Sequence, residues 1–183
     1  MSRNMVNTDI TKIVWIPGGV KDLTKPTLAE LNKGVDITCA IVAGYTLGME
    51  ESEMVDGERY LCSKGKAKRR GAGNYNGEFT FGREADKDAT EQNSAFLRAA
   101  NAFANPGVVG DIIRRGGVAT DPASALPATE NFKVGQTIEI YRFETDYPQY
   151  KTDQNDEDAT FTNKLIPTGD FNHSVQIVAS PSA

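Results

Sequence analysis

Few residues in this chain are of a type that does chemistry, and their spacing argues against most reactions. His173 is the single histidine, so a His-dependent catalytic triad and a multi-histidine metal site are both ruled out. Of the two cysteines, Cys39 falls on the apolar side of a predicted strand, where a thiol is buried and inert. Cys62 precedes a basic run that lowers a thiol's pKa, yet no base is positioned to use it. The pair reads as free thiols. Gly18-Gly19 and Gly71-Ala72-Gly73 match neither a phosphate-binding loop nor a dinucleotide fingerprint and read as turns. Asp153, Asn155, Asp156 and Asp158 have calcium-loop character, but the turn glycine and closing glutamate of an EF-hand are missing. They read as a solvated acidic turn. No catalytic, cofactor-binding or metal site is therefore expected, and the chain is read as a non-enzyme.

The bulk composition agrees. With 183 residues, the sequence suits one domain, residues 1–183, with a sizeable core. A net charge of -5 does not suit a protein that grips phosphate backbones. The short basic run at residues 64–70 sits beside a matching acidic run, which weakens any nucleic-acid reading. Residues 1–10 lack the apolar run of a signal peptide, and no stretch approaches the ~18 apolar residues of a membrane span.

The elements that must position everything else are mostly strands. Candidates bounded by Gly, Pro, Asn or Asp fall at residues 10–16, 36–47, 75–83, 108–115, 134–143, 159–166 and 173–179. Before the second of these, Thr27 and Glu30 have capping-box spacing and open a helical turn, which Gly34 ends. One longer helix is expected at residues 93–104, capped by Asn93 or Ser94. Its apolar stripe of Phe96, Leu97, Ala100 and Phe103 would lie on a sheet. Many strands with one embedded helix point to a β-sandwich or partial barrel.

The strands have a small, polar second side. Alternation puts Asp36, Thr38 and Thr46 opposite Ile37 and Leu47. It likewise sets Glu78 and Thr80 against Phe79 and Phe81, Thr137 and Glu139 against Ile138 and Ile140, and Thr160, Thr162 and Lys164 against Phe161 and Leu165. A half-exposed antiparallel sheet shows the same alternation. The long loop at residues 48–74 segregates its charge, with Glu50, Glu51 and Glu53 first, then Lys64, Lys66, Lys68, Arg69 and Arg70. Folded as a hairpin it would project roughly 40 Å. Its two halves either neutralise each other as a solvated arm or reach a neighbouring molecule.

Taken together, KPTLAELNKGVDITCAIVAGYTL (residues 25–47), NYNGEFTFGREAD (74–86), the single helix and the closing strands resemble the major tail tube proteins of long-tailed, siphovirus-type bacteriophages, especially those of actinobacterial hosts. The resemblance implies a tail tube fold whose inner sheets join edge to edge in a hexameric β-barrel ring, with rings stacking into the channel for DNA ejection. On that reading the polar set from Asp36 to Lys164 lines the lumen, the loop at 48–74 joins subunits, and the acidic loop at 145–158 is a surface feature. Implied partners are further copies of the chain in helically stacked homohexamers, a tape-measure protein in the lumen, tail terminator and distal tail or baseplate proteins, and genomic DNA in transit without specific binding. No membrane is involved, and the protein belongs to the virion tail shaft after assembly in the host cytoplasm. The alternative is another phage or secretion-system structural protein, such as a head decoration protein or a secreted hexameric ring protein.

Overall fold

The computed structural model describes residues 10–42, 44–57, 61–62, 65–86, 88–116, 127–151 and 159–180. Their strands are β1 (Lys12–Pro17), β2 (Val35–Asp36), β3 (Thr46–Met49), β4 (Met54–Asp56), β5 (Lys68–Arg70), β6 (Tyr75–Gly82), β7 (Val109–Arg115), β8 (Thr137–Thr145), β9 (Gln149–Lys151) and β10 (Thr160–Gln176). Two helices, α1 (Leu28–Asn32) and α2 (Ala95–Ala102), complete the set. The architecture is mainly β. An antiparallel sheet runs in the order β2-β1-β7-β8-β10-β6-β3, with β9 also paired to β10, while β4 and β5 form a separate two-stranded ribbon.

Cross-strand register assigns every side chain to one of two faces, because directly paired residues point the same way. One face carries Ile13, Trp15, Ile112, Tyr141, Phe143, Phe161, Leu165, Phe79 and Phe81 in a single core. Ala99 and Phe103 of α2 close it, with Phe103 5.3 Å from the Trp15 ring and 5.1 Å from the Phe81 ring. The opposite face carries a second core of Val14, Ile16, Ile113, Ile138, Ile140 and Val175, covered by Leu31, Val20, Phe132 and Ile177. β1, β7 and β8 are thus buried on both sides, and β1 reads as a nearly continuous apolar run, while β7 and β8 carry charged residues that are buried or ion-paired. β6 is covered on one side only and alternates cleanly.

The capping box at α1 forms as the sequence predicts: the Thr27 hydroxyl accepts from the Glu30 amide, and the Glu30 carboxylate accepts from the Thr27 amide at 3.1 Å. Gly34 follows the C-cap Lys33, at the stop the sequence predicts, and has a second use. A Cβ there would lie 2.3 Å from Val14 Cγ1, so glycine lets the chain pass close over β1.

Residues 36–47 do not form one strand. The Asp36 carboxylate accepts from the Thr38 amide at 3.0 Å, a local turn that competes with the ladder. A single 3-10 turn follows at Thr38–Ala40, and the threefold spacing buries Ile37 and Ala40 while leaving Cys39 exposed. The chain then crosses to the far edge, where Ile41 bridges Phe81, the Val42 amide donates to the Thr80 carbonyl at 2.8 Å, and β3 pairs with β6. This segment therefore straps one edge of the sheet to the other. In the opposite sense, the two strands expected at 159–166 and 173–179 are one. β10 continues through Pro167 with register shifts between Pro167 and Phe171 and between Asn172 and Val175, because β8 runs alongside as a partner.

Candidate assembly surfaces

Six of the ten residues expected on one polar face share it. Thr46 pairs with Glu78, Glu78 with Lys164, and Thr80 with Thr162, whose hydroxyls lie 2.9 Å apart. Thr160 continues the row opposite Gly82. Each is at least partly exposed.

The other four stand elsewhere. Asp36 and Thr38 lie at the β2 edge, five strands from β6 in sheet order. There the Asp36 carboxylate holds the buried Lys12 ammonium, and the Thr38 hydroxyl accepts from the Ile13 amide at 2.9 Å. Burial alone raises the Asp36 carboxyl, but hydrogen bonds from Lys12 and Thr38 outweigh it and hold the group below the ordinary carboxylate range. Thr137 and Glu139 sit on the opposite face of the sheet from Glu78, since Leu165 pairs with both Gly77 and Thr145 and so fixes the parity of β8. Glu139 is buried, ion-paired to Arg114, whose other arm donates to the Leu47 carbonyl at 2.8 Å. Alternation in β8 misleads because both faces of that strand are covered, one by each core.

The expected helix stripe also turns. Phe103 is fully buried and Ala100 half-buried, but Ala99 takes the central buried place. Phe96 is 38% exposed and lies over Gly82, where a Cβ would come within 2.8 Å of its ring. Leu97 is half-buried, and its amide donates to the Ser94 hydroxyl, which caps the helix.

The long loop is a hairpin. Met54 pairs with Arg70, Val55 with Arg69 and Asp56 with Lys68, so the acidic and basic stretches do fold back on each other. Yet among the described residues no ion pair joins Glu50, Glu51, Glu53 or Asp56 to Lys66, Lys68, Arg69 or Arg70. Lys64, and the acidic cluster at Asp153, Asn155, Asp156 and Asp158, lie outside the described residues. Met54 and Val55 are 64% and 55% exposed, which leaves apolar and charged side chains together on a ribbon that, among the described residues, pairs with no other strand.

One buried cluster escapes the sequence reading. Arg142 grips Asp111 with two nitrogens at 2.8 and 2.9 Å, and the same carboxylate accepts from the Val20 amide at 2.7 Å. Arg142 in turn donates to the Val20 carbonyl at 2.9 Å, so the pair fastens the turn after β1 to the sheet. The bidentate geometry makes it a strong tie. Its signal was present but unread: a charge on each of two neighbouring apolar strands. None of these arrangements has the nucleophile-base geometry of a catalytic site. Among the described residues, no group of three or more His, Cys, Asp or Glu could hold a metal ion, and no helix is long and apolar enough to cross a membrane.

What the geometry offers is surface: a polar sheet face, an open strand edge and a projecting charged ribbon. A family model described as "Phage tail tube protein" matches residues 1–180. The chain belongs to the phage tail tube protein family. It is accordingly a structural component of a bacteriophage tail, in keeping with a mainly β molecule built around one large antiparallel sheet. No curated protein matches the chain.

Proposed function

We propose that this tail tube protein polymerises as stacked hexameric rings, forming the channel through which DNA leaves a siphovirus-type virion. The observation that carries the reading is the β4–β5 ribbon, with its exposed Met54 and Val55 and with charges that, among the described residues, form no ion pair. A lone soluble domain gains nothing from such a ribbon, whereas a subunit that must grip its neighbours needs one. β3 adds support, being paired on one side only, so joining it to the next copy removes an edge that otherwise invites uncontrolled pairing.

In this arrangement Thr46, Glu78, Thr80, Thr160, Thr162 and Lys164 face the lumen, a wall of hydroxyls with one acid and one base in register. Such a wall offers passing phosphates no basic track. The tape-measure protein occupies the lumen before ejection, and terminator and distal tail proteins cap the two ends. Assembly takes place in the host cytoplasm.

The test is negative-stain microscopy of the full chain at rising concentration, at low and high salt. Rings or tubes of sixfold symmetry are expected. Salt should disperse them if exposed charge pairs hold the contacts, since screening sets in beyond a Debye length of about 8 Å at physiological ionic strength. A chain that stays monomeric at every concentration overturns the reading.

A further inference from the structure

The ribbon needs a receptor, and the body of the molecule contains a surface that complements it. Beneath the start of α2 lies a groove of about 550 Å³, lined by Val42, Gly82, Arg83, Glu84, Phe96 and Thr160 together with two alanines. Its apolar walls are open to solvent: Val42 is 43% exposed and Phe96 38%. Gly82 provides the floor, since any side chain there would collide with the Phe96 ring.

One rim is acidic: Glu84 lines the groove, and the exposed Asp86 and Asp88 follow it closely in the chain. The one basic group on the wall, Arg83, is drawn over the Tyr150 ring at 5.3 Å. One strand of the ribbon is the converse: β5 carries Lys68, Arg69 and Arg70, with Lys66 just before it, and pairs with the exposed Met54 and Val55 and with Asp56.

Ribbon and groove stand at opposite ends of the same strand. The ribbon's root is tied to the start of β6, where the Glu50 amide donates to the Asn74 carbonyl at 2.8 Å, and the groove opens at Gly82, where β6 ends. The seven steps between Tyr75 and Gly82 separate them by about 23 Å along the strand. A copy's own ribbon therefore leads away from its own groove. A second copy placed behind it, beyond the start of β6, presents its groove to the first copy's ribbon, and the contact repeats without closing on itself.

We infer that the groove between β6 and α2 receives the β4–β5 ribbon of a second copy, with Met54 and Val55 against Val42 and Phe96 and the basic strand against the acidic rim. The inference rests on the tube reading above and assigns the contact that would link one ring to the next.

Two measurements test it. A photo-crosslinking amino acid at Val55, in tubes assembled from mixed isotope-labelled and unlabelled full-length chain, should join peptides from different copies, with the adduct within residues 82–98. In parallel, Lys68→Glu, Arg69→Glu and Arg70→Glu together should raise the concentration needed for assembly at least about tenfold, and adding Asp86→Lys and Asp88→Lys should bring it back to within about threefold. Circular dichroism and melting temperature should be those of the parent in each variant, as every substituted side chain is exposed. Tubes whose Val55 adducts map to any other surface, or a reversal that the rim substitutions do not rescue, overturn the groove assignment while leaving the tube itself standing. Failure of the parent chain to form rings or tubes at any concentration overturns both.

Discussion

The two halves of the sheet do different work. Around β1, β7 and β8 both faces are covered, and the polar groups that enter are paired: Asp111 with Arg142, Lys12 with Asp36, Glu139 with Arg114. Around β3, β6 and the first part of β10, one face carries hydroxyls and charges in the open, and the adjoining ribbon leaves its charges unpaired among the described residues. Equal polarity in sequence thus has opposite meanings. In the covered half a charge is a fastener, and in the open half, on the assembly proposed above, it is a surface for another molecule.

Substitutions in the covered half should break the fold. Asp111→Ala leaves the Arg142 guanidinium facing a vacated site and should cost about 3–5 kcal/mol. Phe103→Ala empties the space between Trp15 and Phe81 at a similar ~3–5 kcal/mol. By contrast Phe96→Ala, two turns earlier and partly solvated, should cost only about 1 kcal/mol. Urea denaturation of the three variants checks the ranking.

Titration probes the same half. Burial, and then the charge of Glu139, push the Tyr141 phenol up to about 12. A folded pKa above the unfolded value of about 10 means that this stabilisation is complete below pH 10 and is lost as pH rises towards the folded value. Melting temperature should fall over that window, and Tyr141→Phe should flatten the decline. At the acid end the sign reverses. The depressed Asp36 carboxyl contributes stability that is present above about pH 4 and lost as pH falls through its folded pKa. Asp36→Asn should blunt acid unfolding and loosen the strap from β1.

The smallest expected effect on folding belongs to the open half. Reversing Lys66, Lys68, Arg69 and Arg70 to Glu should leave the unfolding free energy within about 0.5 kcal/mol, while assembly measured by sedimentation collapses. A large loss of stability in that variant would erase the distinction between the halves.

Legibility followed the same division. β6 and α2 could be read within a residue or two, because a strand covered on one side alternates and a Ser-capped amphipathic helix announces its ends. The capping box of α1 was equally plain. Residues 36–47 misled because local bonds between Asp36 and Thr38 convert an apparent alternation into a turn, and no periodicity records where a chain crosses from one sheet edge to the other. Thr137 and Glu139 misled because a strand between two cores has no polar face to find. The ribbon's charge blocks were visible, whereas Val42 and Phe96, distant in sequence, become one groove only through the Ile41–Phe81 bridge and the seating of α2 beside β6.

β10 has a consequence for the order of events during synthesis. It pairs with β6 through Leu165 on one side and with β8 from Leu165 onward on the other, and it is the only strand joining the β2-β1-β7-β8 half to the β6-β3 half within the sheet. Every strand it joins precedes it in the chain. A ribosome releases the ribbon long before residues 160–176. The groove, lined in part by Ala159 and Thr160, is incomplete until those residues emerge, and until then the strand that connects ribbon to groove has no partner in the sheet beyond β3. Folding of the open half waits for that moment. On the ribbon-to-groove contact inferred above, competence to join a growing tail arrives with the completed sheet.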